Sequence, residues 1–154
     1  VDTARLPHTQ LAPDAFRAML GVSEVLQRSP LGKALQALLH VRVSQLNGCA
    51  YCLDMHTREA LAAGEELQRL LGLPAWRELP LYTPRERAAL QWAEDLTLLA
   101  DSHAPQASFD ALRPHFSDAE IADLTFSLAQ INAWNRLGVA MRLPVARRPL
   151  AVRG

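Results

Sequence analysis

Two cysteines among 154 residues are too few for the disulfide framework of a small secreted domain. Neither sign of charge prevails, since 16 Lys and Arg face 16 Asp and Glu. That balance argues against a nucleic-acid binder, in which a basic excess is usual, and against attraction to anionic membranes. No apolar run approaches the roughly 18 residues of a membrane-crossing helix. The leading VDTARLPHTQ lacks the apolar stretch of a signal peptide, so the cytoplasm is the default expectation. No segment sustains period-two alternation, and no sheet is expected. No internal repeat or linker interrupts the chain. What is present is an ordinary globular composition, 49% hydrophobic and 21% charged. At this length one core buries about two-thirds of the unfolded surface. The expectation is a single all-α domain over residues 1–154.

The helices announce themselves by apolar spacing and by their ends. After an irregular lead-in with Pro7 and Pro13 as breakers, Phe16, Met19, Leu20 and Leu26 mark a helix from Pro13 to about Gln27. Ser29-Pro30 reads as an N-cap with proline at the first helical position. The helix it opens carries Leu31, Leu35, Leu38, Leu39, Val43 and Leu46 on one face. Asn47-Gly48 ends it, because both residues tolerate positive φ. A third helix begins at or just after Cys49 and runs to about Ala63, with Gly64 following its C-cap. Glu65 to Leu71 forms a short helix stopped by Gly72 and Pro74, and Trp76 to Tyr82 a loop with aromatic anchors. Thr83-Pro84-Arg85-Glu86 and Ser117-Asp118-Ala119-Glu120 are two capping boxes. The first opens a helix with Ala89, Trp92, Ala93, Leu96 and Leu99 on its inner face. The second opens one with Ile121, Leu124, Leu128 and Ile131, running to about Leu137. Between them, 101–105 is a loop and 106–112 one or two helical turns. The tail from Leu143 is irregular or packs between subunits, and Arg147-Arg148 is a short solvated charge run.

The reactive residues concentrate in one stretch, VSQLNGCAYCLDMHTRE, from Val43 to Glu59. Cys49 and Cys52 are three apart, and His56 lies four beyond Cys52. On a helix, residues three apart share a face with Cβ atoms about 5–6 Å from each other, and a small adjustment in a first turn brings them to the roughly 4 Å that a disulfide needs. A helix N-terminus also favours the thiolate, because its unpaired amides and dipole attract negative charge. His56, one turn further along the same face, is placed to take a proton from a thiol and return it. Three readings follow from these residues alone. The pair cycles between dithiol and disulfide; or Cys49, Cys52 and His56 are zinc ligands, lacking the fourth that a closed structural site needs; or the cysteines are simply small apolar residues in the core.

The same stretch resembles the AhpD-like (alkylhydroperoxidase) branch of the carboxymuconolactone decarboxylase superfamily. The resemblance is carried by HVRVSQLNGC, by CAYCLDMHTREA, by Tyr82 to Leu90, by His115-Phe116-Ser117-Asp118 and by Ile131 to Arg136, and it spans roughly residues 15–143. It implies an all-α AhpD-like fold, with the Cys-x-x-Cys at a helix N-terminus, packed into a homotrimer or homohexamer. It also implies a thiol-dependent peroxidase or disulfide oxidoreductase in which Cys49, Cys52 and His56 are catalytic, with no cofactor and no metal. The partners implied are a peroxide and a thiol reductant: a peroxiredoxin, a lipoyl protein or a small thiol. Decarboxylases of the superfamily typically lack the cysteine pair, so decarboxylation does not carry over.

One position departs from the pattern. The family's proton relay usually includes a glutamate twelve residues before the first cysteine, where this chain has Ala37. Gln36 points about a quarter-turn away and cannot titrate. His40, one turn from Ala37, reads as a surface or interface histidine, with approach to the pocket as its alternative, and Glu59 as solvated helix surface, with orientation of His56 as its alternative role. A catalytically weakened interaction protein of the same fold is therefore the runner-up. Helix-start geometry marks Cys49 as the more exposed sulfur, whereas His56 favours Cys52 as the activated one. Trp92 and Trp134 read as core or interface anchors, and Asn132, Asn135 and Arg136 as bonding groups at an interface or at neighbouring helix ends.

Overall fold

Helix starts in this chain are set by proline and by side-chain caps, and the computed structural model, described over residues 3–149, uses most of those the sequence offers. Its helices are α1 (His8–Leu11), α2 (Pro13–Leu26), α3 (Lys33–Asn47), α4 (Ala50–Ala62), α5 (Leu67–Gly72), α6 (Pro84–Thr97), α7 (Leu99–Ser102), α8 (Gln106–Asp110) and α9 (Asp118–Ala140), with a 3₁₀ turn at Leu73–Ala75 after α5. No strand occurs among the described residues. Both capping boxes close as expected: the Thr83 hydroxyl accepts from the Glu86 amide and the Ser117 hydroxyl from the Glu120 amide, while each glutamate bonds back to the cap residue's amide. Among the described residues no helix is long and apolar enough to cross a membrane.

The architecture centres on α3, which packs against α4, α6 and α9. Such a helix must be apolar nearly all round. Leu38, Leu39, Val41 and Val43 are all at most 1% exposed. They meet Leu90 and Ala93 of α6 and Leu124, Leu128 and Ile131 of α9 in one core. Truncating one such leucine to alanine costs about 2–5 kcal/mol. The charge that α3 buries is paired. The Arg42 guanidinium donates to Glu94 at 2.8 Å, and Trp76 Nε1 (2.9 Å) and Arg77 (2.7 Å) donate to the same carboxylate. Burial alone would raise the Glu94 pKa, but the donors Arg77, Trp76 and Arg42 outweigh it and hold the carboxyl below its ordinary range. This clamp fixes the loop after α5, in which Trp76 and Tyr82 are buried as anchors.

Several expected boundaries differ. Ser29-Pro30 does not cap α3. Gly32, at φ 83°, is the N-cap residue, because the Ser29 hydroxyl is occupied elsewhere: it accepts from the Leu31 amide and donates to Asp123 of α9. A single turn, α1, interrupts the lead-in after Pro7, and another, α7, takes up the start of the expected 101–105 loop. Leu98 leaves helical geometry at ψ 38°, which breaks the phase of α6 and turns Leu99 outward to 51% exposure. Gly72 ends α5 from within. Helix α9 runs past Leu137 to Ala140. The chain then crosses α4, where Arg58 donates to the carbonyls of Arg148 (2.8 Å) and Pro149 (2.9 Å).

Candidate active site

The site is built at the junction of α3 and α4. Gly48 adopts the left-handed conformation, φ 64°, and ends α3. The Cys49 amide then bonds back to the Ser44 carbonyl at 3.1 Å. This closure turns the chain so that Cys49, in extended geometry, is the N-cap residue of α4. Its sulfur does what a serine oxygen does at a conventional cap, accepting from the Cys52 amide at 3.3 Å. Cys49 and Cys52 are joined as a disulfide with Cα atoms 5.4 Å apart, well within the usual span.

Three asparagines bracket this turn. Asn47 donates to Asn132 and Asn135 of α9, both at 2.9 Å, and Asn135 donates to Ser44 at 3.1 Å. The expectation that Asn132 and Asn135 bond near helix ends thus holds within the chain, since they secure the end of α3. Arg136 bonds the carbonyl of Asn132. Trp134 anchors against Phe16 and donates to Ser23 of α2.

The sulfurs are sealed. Cys49 is 1% exposed and Cys52 3%, so the expectation that Cys49 stands more open does not hold. The cause is α9, which crosses directly over the pair at Gly138. A Cβ built there would lie 2.7 Å from Cys49 Sγ and 3.2 Å from Cys52 Sγ. Only glycine permits this approach.

One turn beyond Cys52, His56 is nearly buried. Its Nδ1 lies 2.8 Å from Glu59 Oε2, so Glu59 does meet the imidazole although its side chain is 58% exposed. His40 is half-buried and approaches the site, the alternative that the sequence offered for it. Its ring packs edge-on against His56 with centroids 4.9 Å apart, and its Nε2 lies 3.0 Å from Ser127 Oγ of α9. Burial, and secondarily the neighbouring His56, push its pKa down to about 3, so His40 is neutral at physiological pH. Ala37 packs partly buried against the core and offers no polar atom. Gln36 donates to the Leu26 carbonyl and receives the Ser127 hydroxyl at 3.4 Å.

The three residues expected from sequence are therefore neighbours on one turn-and-helix unit. Gly138, Ser44 and Ser127 were not expected. Gly138 gave no signal, because it falls just past the expected end of its helix at about Leu137, where a glycine is ordinary; only the extension of α9 to Ala140 puts it inside a helix. Among the described residues no group of three or more His, Cys, Asp and Glu side chains gathers as a metal site. What the arrangement can do chemically is hold a disulfide at a helix N-terminus, one turn from an imidazole whose Nδ1 meets a carboxylate.

Comparison with known proteins gives this geometry a context. A family model described as the carboxymuconolactone decarboxylase family matches residues 13–95. The uncharacterized protein YdfG of Bacillus subtilis is 36% identical over 137 residues, covering 89% of this chain and 93% of that protein. A crystal structure of a protein of unknown function from Agrobacterium tumefaciens, provisionally named as the antioxidant defence protein AhpD, superposes with a TM-score of 0.91 at 37% identity, covering 94% of this chain and 99% of that one. An uncharacterized peroxidase-related protein from Silicibacter gives 0.74 at 27% identity, over 83% of this chain and 68% of the other.

Proposed function

The chain belongs to the carboxymuconolactone decarboxylase family and has its AhpD-like fold; from that premise we propose that it is a thiol-dependent peroxidase, an antioxidant disulfide oxidoreductase. The observation that carries this reading is the Cys49–Cys52 disulfide at the α4 N-cap with His56 one turn on. In the reduced pair His56 takes the proton of one thiol. The thiolate attacks the terminal oxygen of a hydroperoxide ROOH, the O–O bond breaks, and the cysteine becomes a sulfenic acid while ROH leaves with the proton. The second thiol condenses with the sulfenic acid, forming the S–S bond and releasing water. Two electrons from a thiol donor, which leaves as its own disulfide, restore the pair. Two features favour Cys52 as the sulfur that meets peroxide: His56 follows it on the same helix face, and α9 presses more closely on Cys49.

The donor we infer is a peroxiredoxin, a lipoyl protein or a small thiol. Assembly into a trimer or hexamer is supported by the outward row of Ala122, Phe126, Ala129 and Ala133 on α9, where Phe126 is 64% exposed. Sedimentation of wild type and Phe126→Glu tests it, and a wild-type monomer would overturn it.

Peroxide consumption with each donor class tests the activity. Cys49→Ser and Cys52→Ser are each expected to abolish turnover, and full activity in both would refute the dithiol cycle. Ala37→Glu is expected to raise the rate, by up to about 10²-fold if proton transfer limits it. A second reading, an oligomeric interaction protein whose chemistry has weakened, is favoured by Ala37. It is supported if the wild-type disulfide consumes no peroxide with any donor.

A further inference from the structure

We propose that His40 is a positioning residue of the dithiol centre, fixing the His56 ring from α3 through a side-chain chain anchored on Ser127. This rests on the dithiol reading and extends it to a residue that the sequence reading had favoured as a surface or interface group.

Three observations carry it. First, the two imidazoles meet edge to face at 4.9 Å between centroids, a separation at which aromatic rings lock one another's orientation. Second, His40 is itself held. Its Nε2 meets Ser127 Oγ at 3.0 Å, Ser127 meets Gln36 Oε1 at 3.4 Å, and the Gln36 amide donates to the Leu26 carbonyl at 2.9 Å. The arrangement that satisfies these contacts has His40 donating from Nε2 and the single Ser127 proton directed to Gln36. Third, Ala37 sits one turn from His40 and offers only a methyl group. No carboxylate from α3 can therefore hold His56 from that side, and the ring contact is what α3 supplies instead.

Among the described residues, two titratable side chains make contact with the His56 ring. On its own helix Glu59 meets Nδ1. From α3 comes His40, which burial and the neighbouring imidazole keep neutral. From α9 come Ser127, bonded to His40, and Gly138 at the sulfurs, neither of them titrating. A neutral His40 leaves His56 as the one ring of the pair free to carry the proton of a cysteine thiol. A charged His40 would oppose it.

The test is the rate of disulfide opening by dithiothreitol as a function of pH, with the His40 and His56 ring resonances followed by NMR. His40 is expected not to titrate between about pH 5 and pH 8. His40→Ala is expected to slow opening about tenfold and displace the pH–rate profile. Ser127→Ala, which removes only the anchor, should slow it about threefold with a displacement in the same direction, and His40→Phe, which keeps an edge-on ring, should recover part of the rate. His40→Ala that folds yet keeps the wild-type rate and profile overturns the proposal. If His40→Ala fails to fold, an unchanged His56 resonance, rate and profile in Ser127→Ala overturns it. If the wild-type disulfide does not exchange with dithiothreitol at all, the dithiol reading falls, and this one with it.

Discussion

Replacing Gly138 with alanine sets two effects of known sign against each other. Within a helix the change is ordinarily favourable by about 0.5–1 kcal/mol. Here the new methyl carbon would stand 2.7 Å from Cys49 Sγ and 3.2 Å from Cys52 Sγ, whereas ordinary non-bonded contacts lie at about 3.5–4.0 Å. Something must move by roughly 1 Å. Overpacking of that order costs about 1–3 kcal/mol, so the oxidised protein should lose about 1 kcal/mol net. Two free thiols can each turn about χ1 away from α9, so the reduced protein should escape most of the penalty and keep the helix gain. The two forms then differ by about 1.5–2 kcal/mol, and the couple becomes more oxidising by about 30–40 mV, since 30 mV corresponds to about 1.4 kcal/mol for two electrons. Thermal melts of both redox forms and equilibration against glutathione buffers read the two quantities. The oxidised variant should melt about 2–4 °C below oxidised wild type. Equal stabilisation of both forms by alanine, with no change in potential, would refute the claim that α9 presses on the disulfide.

Two further outcomes follow from the surrounding network. Asn135→Ala, at a residue 1% exposed, leaves Ser44 and Asn47 each short of a partner and should cost about 2 kcal/mol in urea unfolding, with disulfide opening accelerated because the turn before Cys49 is freed. Glu94, whose folded pKa lies below its unfolded value, contributes stability that is present above the unfolded carboxyl pKa of about 4.3 and lost as pH falls through the depressed folded value. Glu94→Gln should therefore be less stable than wild type at neutral pH, with a difference that narrows on acidification. A difference constant from pH 7 down to strongly acid conditions would contradict the assignment.

Local signals made most of this fold readable. Capping boxes, Asn47-Gly48 and the apolar spacing of α3, α6 and α9 each state a boundary or a face within a few residues. Ser29-Pro30 misled because a serine hydroxyl can be claimed by tertiary structure, here by Asp123 on α9. The one-face reading of α3 also fell short. Val41, Arg42 and Ser44 lie off the leucine stripe, yet all are buried, because α3 is covered from several sides and its off-stripe polar groups find partners on other helices. The site divides the same way. Cys49, Cys52 and His56 are legible since their relation is local. Gly138, Ser127 and the burial of His40 depend on how α9 crosses the α3–α4 junction, and nothing within either segment encodes that crossing.

The position of Glu59 bears on what the change at residue 37 means. A carboxylate on α3 would come from the helix that now presents His40 to the ring. The carboxylate that does meet His56 stands on α4 itself, at 2.8 Å and with 58% of its side chain in solvent. A half-exposed carboxylate is screened by solvent, which weakens its hold on the ring. The neutral His40 adds no charge from the other side. Among the described residues, Glu59 is the one carboxylate bonded to that ring, so in the dithiol cycle proposed above the group that orients His56 comes from α4 and not from α3.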